Sequence, residues 1–222
     1  MDYLSFDVGI KNLAYCVLSQ DERLKQWGII NLNQNPICQV NLRKKCEKQA
    51  TYKVKDSDIE YCCTSHKGKF NKKQLKKLNS NYDLFEISKN CIESLQKLDL
   101  STIKTVLIEN QPALKNPTMK SIQMIIYTFF IMNGVMNDNS SIKEVHMINA
   151  RNKLKVYKGP KVECPYEENK KNKYKINKFL AIKYCENMID KDCEEMKIIF
   201  NESKKKDDLA DCYLQGVYYI DK

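Results

Sequence analysis

Three acidic sites stand where carboxylates are costly unless they have work to do. Asp7 closes the apolar run Ser5-Phe6-Asp7-Val8-Gly9, and Glu109 closes Val106-Leu107-Ile108-Glu109. The third site, Asp207-Asp208-Leu209-Ala210-Asp211, lies near the end of the chain. A carboxylate at the tip of a buried strand loses hydration and needs a counter-charge. Hard divalent cations such as Mg²⁺ take oxygen ligands, which acids scattered in sequence can supply by converging in space. Asp208 and Asp211 are three residues apart and project from one face of a helix. Asp207 suits the N-cap of that helix, where an acid also complements the dipole. Asp207 is thereby accounted for without a metal, but Asp7 and Glu109 are not, and the three acidic elements together point to a metal-dependent enzyme.

A second chemistry lies between them. Cys38, Cys46, Cys63 and His66 form two halves with sixteen residues between them, and the second half has Cys-x-x-His spacing. Structural Zn²⁺ takes four Cys or His ligands tetrahedrally, and a two-residue spacer lets both partners reach one ion. Seven residues separate Cys38 from Cys46, wider than a standard knuckle. Cys62 could replace Cys63, although Cys63 has the tighter spacing to His66. The alternative is a set of free thiols beside an unrelated histidine. Lys72, Lys73, Lys76 and Lys77 follow and are candidates for phosphate contacts.

The elements that must position these residues follow from periodicity. Residues 3–8, 13–18 and 24–32 read as three closely spaced strands, hence an antiparallel meander, with Gly9 permitting a tight exit. Leu84, Ile87, Cys91, Leu95 and Leu98 recur at helical spacing. Strands are predicted at 105–109 and 144–148 and helices at 119–136, 172–189 and 207–220, with a charged, mobile segment over 151–172. Antiparallel strands followed by strands alternating with helices imply an α/β fold, a mixed sheet flanked by helices. The core is assigned to residues 1–35 and 82–222, and 36–81 to a basic, zinc-binding insertion.

Charge sharpens the choice of substrate. Of the net +10, residues 38–78 contribute twelve Lys/Arg against four Asp/Glu, and residues 151–183 eleven against three. Two basic blocks beside an acidic metal site point to a polyanion. The stretch 122–136 is interrupted by Gln123, Thr128 and Asn133 and is too short and polar to span a bilayer. The N-terminus enters a strand without an apolar h-region, so an intracellular, reducing compartment is expected, with cysteines as ligands or core residues.

The elements Phe6-Asp7-Val8-Gly9-Ile10-Lys11-Asn12, Ile108-Glu109-Asn110-Gln111-Pro112 and Lys206-Asp207-Asp208-Leu209-Ala210-Asp211 resemble, in order and context, the Holliday junction resolvases of the RuvC type. The poxvirus and mitochondrial branch is the most similar, with its Glu-x-Gln strand end and Lys-x-Asp-Asp-x-x-Asp helix start. The resemblance covers about 1–35 and 82–222. It implies an RNase H-like fold, a homodimer, cleavage of four-way DNA junctions, and two Mg²⁺ or Mn²⁺ ions per active site held by Asp7, Glu109, Asp208 and Asp211. It also implies 5′-phosphate and 3′-hydroxyl products, a substrate contact at Gln111, and an origin in a large DNA virus. Rival readings are another RNase H-like nuclease (acting on RNA/DNA hybrids, or transposase-like), an actin-like phosphotransferase, and a non-catalytic zinc-bearing nucleic-acid binder. Asp7-Val8-Gly9 is the only Asp-x-Gly in the chain, which counts against the phosphotransferase.

Overall fold

The computed structural model describes residues 1–33, 35–41, 44–78, 83–114, 116–189 and 194–222. The chain divides into two compact units, Met1–Leu32 with Cys91–Lys222, and Asn33–Asn90. The expected division at 35/36 falls three residues later than the observed one, and the expected boundary at 81/82 lies outside the described residues.

The larger unit is built on a five-stranded sheet. Strands β1 (Asp2–Asp7), β2 (Leu13–Ser19) and β3 (Leu24–Ile30) form the antiparallel meander. Strand β3 stops at Ile30 rather than 32. The smaller unit contributes β4 (Tyr52–Val54), β5 (Tyr61–Cys62) and β6 (Leu75–Lys77), a separate sheet in the order β5-β4-β6. Helix α1 (Leu84–Leu95) carries the buried Ile87, Cys91 and Leu95 at four-residue spacing. Strands β7 (Ile103–Glu109) and β8 (Glu144–Ile148) then extend the large sheet in parallel, giving the order β3-β2-β1-β7-β8.

The central strands are apolar on both sides because both faces of the sheet are covered. Phe6 stacks obliquely on Phe130 at 5.7 Å between ring centroids. Phe130 ends helix α2 (Pro117–Phe130), which begins with proline in its first turn and an Asn116 cap accepting from the Met119 N–H. The backbone continues to Val135 as a π-helix, so the long apolar helix expected over 119–136 is two different helical geometries. Helices α3 (Lys173–Met188), α4 (Glu194–Glu202) and α5 (Lys206–Ile220) follow. The side chains of α4 and α5 share a core with β2 and β3 in which Trp27 stacks on Phe200 at 5.1 Å and donates to the Leu209 carbonyl. Helix α4 was not expected from the sequence.

Helix α5 packs almost all round, with eight of the nine positions from Leu209 to Val217 buried, Asp211 being the exception. Gly216 makes the closeness possible, since a Cβ there would overlap Cδ1 of Leu18 and lie 3.3 Å from the Ser5 Cβ. The buried Gln215 amide donates to the Ser5 hydroxyl and the Phe6 carbonyl, both at 3.1 Å. These bonds tie α5 to β1 one residue before Asp7. Among the described residues no helix is long and apolar enough to cross a membrane.

Candidate active site and metal cluster

Strands β1 and β7 run parallel with Phe6 opposite Ile108, so Asp7 and Glu109 emerge side by side at the same sheet edge. Carboxyl ends of parallel strands are where open sheets place their ligands. Helix α5 brings Asp208 and Asp211 to the same cleft, of about 530 Å³, from its first turns. All four predicted acids line it. Burial and the neighbouring Glu109 and Asp211 carboxylates hold the Asp7 carboxyl well above the ordinary range, against the pull of Lys153. Burial also raises Asp208, with Asp207 adding to it, to about 6. Asp211 is raised by burial despite Lys153. Acids that disfavour one another's charge while their hydration is removed form a site that asks for cations.

One further observation tests that fit. Among the described residues, Asp208 Oδ2 is a buried side-chain oxygen with no hydrogen-bond partner. Such an atom is expensive to leave unsatisfied, and a divalent ion at the acid cluster satisfies it. The donor set, all carboxylate oxygen, suits Mg²⁺ or Mn²⁺.

Asp207 is not the N-cap. Helix α5 begins one residue earlier, at Lys206, with Lys205 in the cap position and no side-chain cap bond. Asp207 instead pairs with Lys178 of α3, which holds its carboxyl below the ordinary range even though burial opposes this. Gln111 also lines the cleft, and its amide donates to Glu109 Oε2 at 2.5 Å while its backbone N–H donates to the buried Gln123 side chain at 2.8 Å.

Lys153 is the residue that sequence reasoning missed. The segment expected to be mobile folds at its start as a 3₁₀-helix, Ala150–Val156, capped by Asn149. From it Lys153 reaches into the acid cluster and pairs with Asp211 at 2.5 Å. Burial works against the ammonium, but Asp211, Asp7 and Glu109 together raise its pKa above the ordinary range. Arg151 and Lys178 also line the cleft, and Tyr174 stands exposed at its rim. The cleft therefore interleaves cations with its acids, Lys153 against Asp211 and Lys178 against Asp207 beside Asp208. A larger cavity of about 830 Å³ in the same unit is lined by Asp21, Glu22 and Asp221, two of which are paired, Asp21 with Arg23 and Asp221 with Lys158.

The smaller unit brings Cys38, Cys46, Cys63 and His66 together, with one donor atom from each lying within 4.8 Å of all the others. Cys62 is not in this group. It is fully buried on β5, in the small apolar core. Lys72 and Lys73 sit on a short 3₁₀ turn and Lys76 and Lys77 on β6, all four exposed.

Comparison with known proteins follows the same outline. The family model described as mitochondrial resolvase Ydc2 / RNA splicing MRS1 matches residues 3–113. That span includes 36–81, outside the motifs that carry the resemblance in the sequence. An uncharacterized protein, L451, of Acanthamoeba polyphaga mimivirus is 35% identical over 194 residues, covering 79% of this chain. This chain spans only 46% of that relative's length. A fowlpox virus resolvase in complex with its substrate Holliday junction DNA has a similar fold, with a TM-score of 0.54 at 17% identity, covering 100% of this chain and 97% of that one. The yeast mitochondrial Holliday junction resolvase Ydc2 gives 0.55 at 14% identity, covering 98% and 78%. With the five-stranded mixed sheet and its flanking helices shared with those structures, the match over residues 3–113 places this chain in the family of mitochondrial resolvase Ydc2 and RNA splicing MRS1.

Proposed function

We propose that the chain is a divalent-metal-dependent, structure-selective endonuclease that resolves four-way DNA junctions. The observation that carries this is the convergence of Asp7, Glu109, Asp208 and Asp211 on one cleft, with Asp208 Oδ2 buried and unpartnered and Lys153, Arg151 and Lys178 lining the same cleft. The four acids would hold two Mg²⁺ or Mn²⁺ ions. When bound, such ions activate a water for in-line attack and stabilise the leaving 3′ oxygen. The chain's own groups do the rest. Lys153 offsets the charge of the acids and offers an ammonium to the scissile phosphate. Gln111 fixes the rotamer of Glu109 and presents its remaining polar edge to the substrate. Gln215, through Ser5 and Phe6, fixes α5 against β1 and so sets the spacing between the acids on the two elements.

Incubation with labelled four-way junctions, RNA/DNA hybrids and linear duplexes, with and without Mg²⁺, tests this. Paired cuts confined to the junction and dependent on Mg²⁺ are expected. The family description also names RNA splicing, which supports a second reading as a nucleic-acid binder without cleavage. Binding of the panel with no cut in either Mg²⁺ or Mn²⁺ would favour it.

The same reading gives the Cys/His cluster a structural Zn²⁺ and makes the active species a homodimer. Met124, Met132, Val135 and Met136 leave the outer side of α2 and the following π-helix apolar and 41%, 63%, 41% and 73% exposed. A junction has two strands to cut, and a two-fold pairing of this face supplies two active sites. Light scattering at micromolar concentration should give twice the 26.1 kDa of one chain. A monomer that still makes paired cuts on one junction would rule the dimer out.

A further inference from the structure

The unit of residues 33–90 has a small apolar core, to which Cys46, Tyr52, Ile59, Phe70 and Leu75 add partly buried side chains. Its buried cluster is Cys38, Val40, Val54, Cys62 and Cys63, and three strands of two or three residues make up its sheet. A core in a domain under roughly 70–80 residues rarely supplies more than about 3–5 kcal/mol, and natural examples of this size add a staple. Two of the five buried residues belong to the metal-ligating group.

The staple's geometry is already present. With Zn–S near ~2.3 Å and Zn–N near ~2.0–2.1 Å, a tetrahedron has S···S edges of ~3.8 Å and S···N edges of ~3.5 Å. Cys46 Sγ and Cys63 Sγ lie 4.0 Å apart, and His66 Nδ1 lies 3.4 Å from Cys38 Sγ and 3.5 Å from Cys63 Sγ. The sulfur separation is about twice a disulfide bond of ~2.05 Å. The His66 N–H bonds the Cys63 carbonyl at 3.0 Å, closing the turn that puts both side chains on one side. Three thiols and an imidazole favour Zn²⁺ over the hard cations suited to the carboxylates.

The folded unit displays a row of like charges that an anion would relieve. Across β5-β4-β6, Tyr61, Lys53 and Lys76 stand in one row, with Lys53 directly opposite both neighbours. Like charges facing each other on a sheet are destabilising, yet both lysines are exposed. Lys53 Nζ lies over the Tyr61 ring, 5.9 Å from its centroid. A line of ammonium groups is suited to a phosphate backbone, and aromatic rings beside such a line are the means by which proteins hold single-stranded nucleic acid. Across residues 33–90 there are thirteen Lys/Arg against six Asp/Glu.

We infer that residues 33–90 form a zinc-dependent nucleic-acid-binding unit. One Zn²⁺ on Cys38 Sγ, Cys46 Sγ, Cys63 Sγ and His66 Nδ1 holds it folded, and the row Lys76–Lys53–Tyr61 grips the backbone of branched DNA. The inference rests on the zinc reading of the cluster and is independent of cleavage.

The test uses the full chain, purified without added metal, and a fluorescent four-way junction in buffer without divalent cations. Elemental analysis should find one zinc per chain. K53Q/K76Q should keep its zinc, lose roughly tenfold in affinity, and flatten the slope of log affinity against log salt by about 1.8, the share of two phosphate contacts. C46S should lose the zinc, become protease-sensitive within 33–90, and lose at least as much affinity. K53Q/K76Q with zinc retained but affinity and slope unchanged would overturn the DNA grip. Wild-type protein free of zinc yet protease-resistant over 33–90 would overturn the metal. Tighter binding to an RNA hairpin than to the junction would overturn the choice of DNA. Zinc-dependent binding in a protein that never cuts would sink the nuclease assignment and leave this one standing.

Discussion

Asp7→Asn is expected to slow cleavage of a four-way junction by roughly 10³-fold or more, the loss that follows when a ligand to the reacting centre is removed. The same change should leave junction affinity equal or higher, because one negative charge leaves a phosphate-binding cleft. It should also stabilise the metal-free protein. Burial with Glu109 and Asp211 nearby raises Asp7 well above the ordinary carboxylate range, and Asp208 is raised to about 6. The folded state then holds these protons more tightly than the unfolded one. Stability conferred by the protonated acids is complete below the ordinary carboxylate range, near ~4, and is lost as pH rises through the raised values. Asparagine removes one of the groups responsible, so the fall in thermal midpoint between pH 4 and 7, without divalent ions, should be shallower. Cleavage gels, anisotropy and thermal melts read the three effects separately. Full-rate cutting by the variant in Mg²⁺ would remove Asp7 from the metal site.

Lys153→Met should lower the single-turnover cleavage rate by roughly 10²-fold, the scale of losing one preorganised charge at a reacting group. Junction affinity should change little, since one of many phosphate contacts is lost. The structural consequence has the opposite sign to that of Asp7→Asn. The Lys153–Asp211 pair has side chains only 17% and 22% exposed. Breaking a buried pair costs roughly 3–5 kcal/mol, and this partly wetted one belongs at the lower end. Without the ammonium, Asp211 loses the group that now offsets its burial, so the acid limb of the pH–rate profile should move to higher pH. Added Mg²⁺ should recover stability but not rate. Rate and stability recovering together would show that Lys153 is only a structural counter-ion.

The acids could be read from the sequence because each violates its surroundings: Asp7 and Glu109 end runs that are otherwise apolar, and Asp208 and Asp211 share one side of an amphipathic helix. Lys153 carries no such mark. It is one lysine among many in a stretch without periodicity, and its partner Asp211 lies far away in the chain. Gln215 and Gln123 were hidden for the opposite reason, as single polar residues inside apolar helical faces, Gln215 bonding to β1 and Gln123 accepting from the Gln111 N–H in the loop after β7 and donating to Met147 of β8. Helix α4 did leave a trace, with Met196 and Phe200 buried four residues apart, but it lies between charged runs that mask the pattern. Asp207 shows the limit of reading a boundary. Moving the helix start to Lys206 turns an apparent cap into half of an ion pair with Lys178.

Gly216 gives the acids a lever arm. At about 1.5 Å of rise per residue, Asp211 and Asp208 lie roughly 8 and 12 Å up the helix axis from it. A Cβ at 216 would stand 2.4 Å from Leu18 Cδ1 and 3.3 Å from the Ser5 Cβ, so either the end of Leu18 turns aside within a filled core or the helix lifts from the sheet. A tilt of about 5° about that point carries Asp208 sideways by ~1 Å, twice the ~0.5 Å within which reacting groups must be held. The smallest residue in α5 thus works as a fulcrum. A methyl group added on the sheet side, where the helix and not the end of Leu18 gives way, would be felt as a misaligned active site, although no atom of Gly216 lines the cleft.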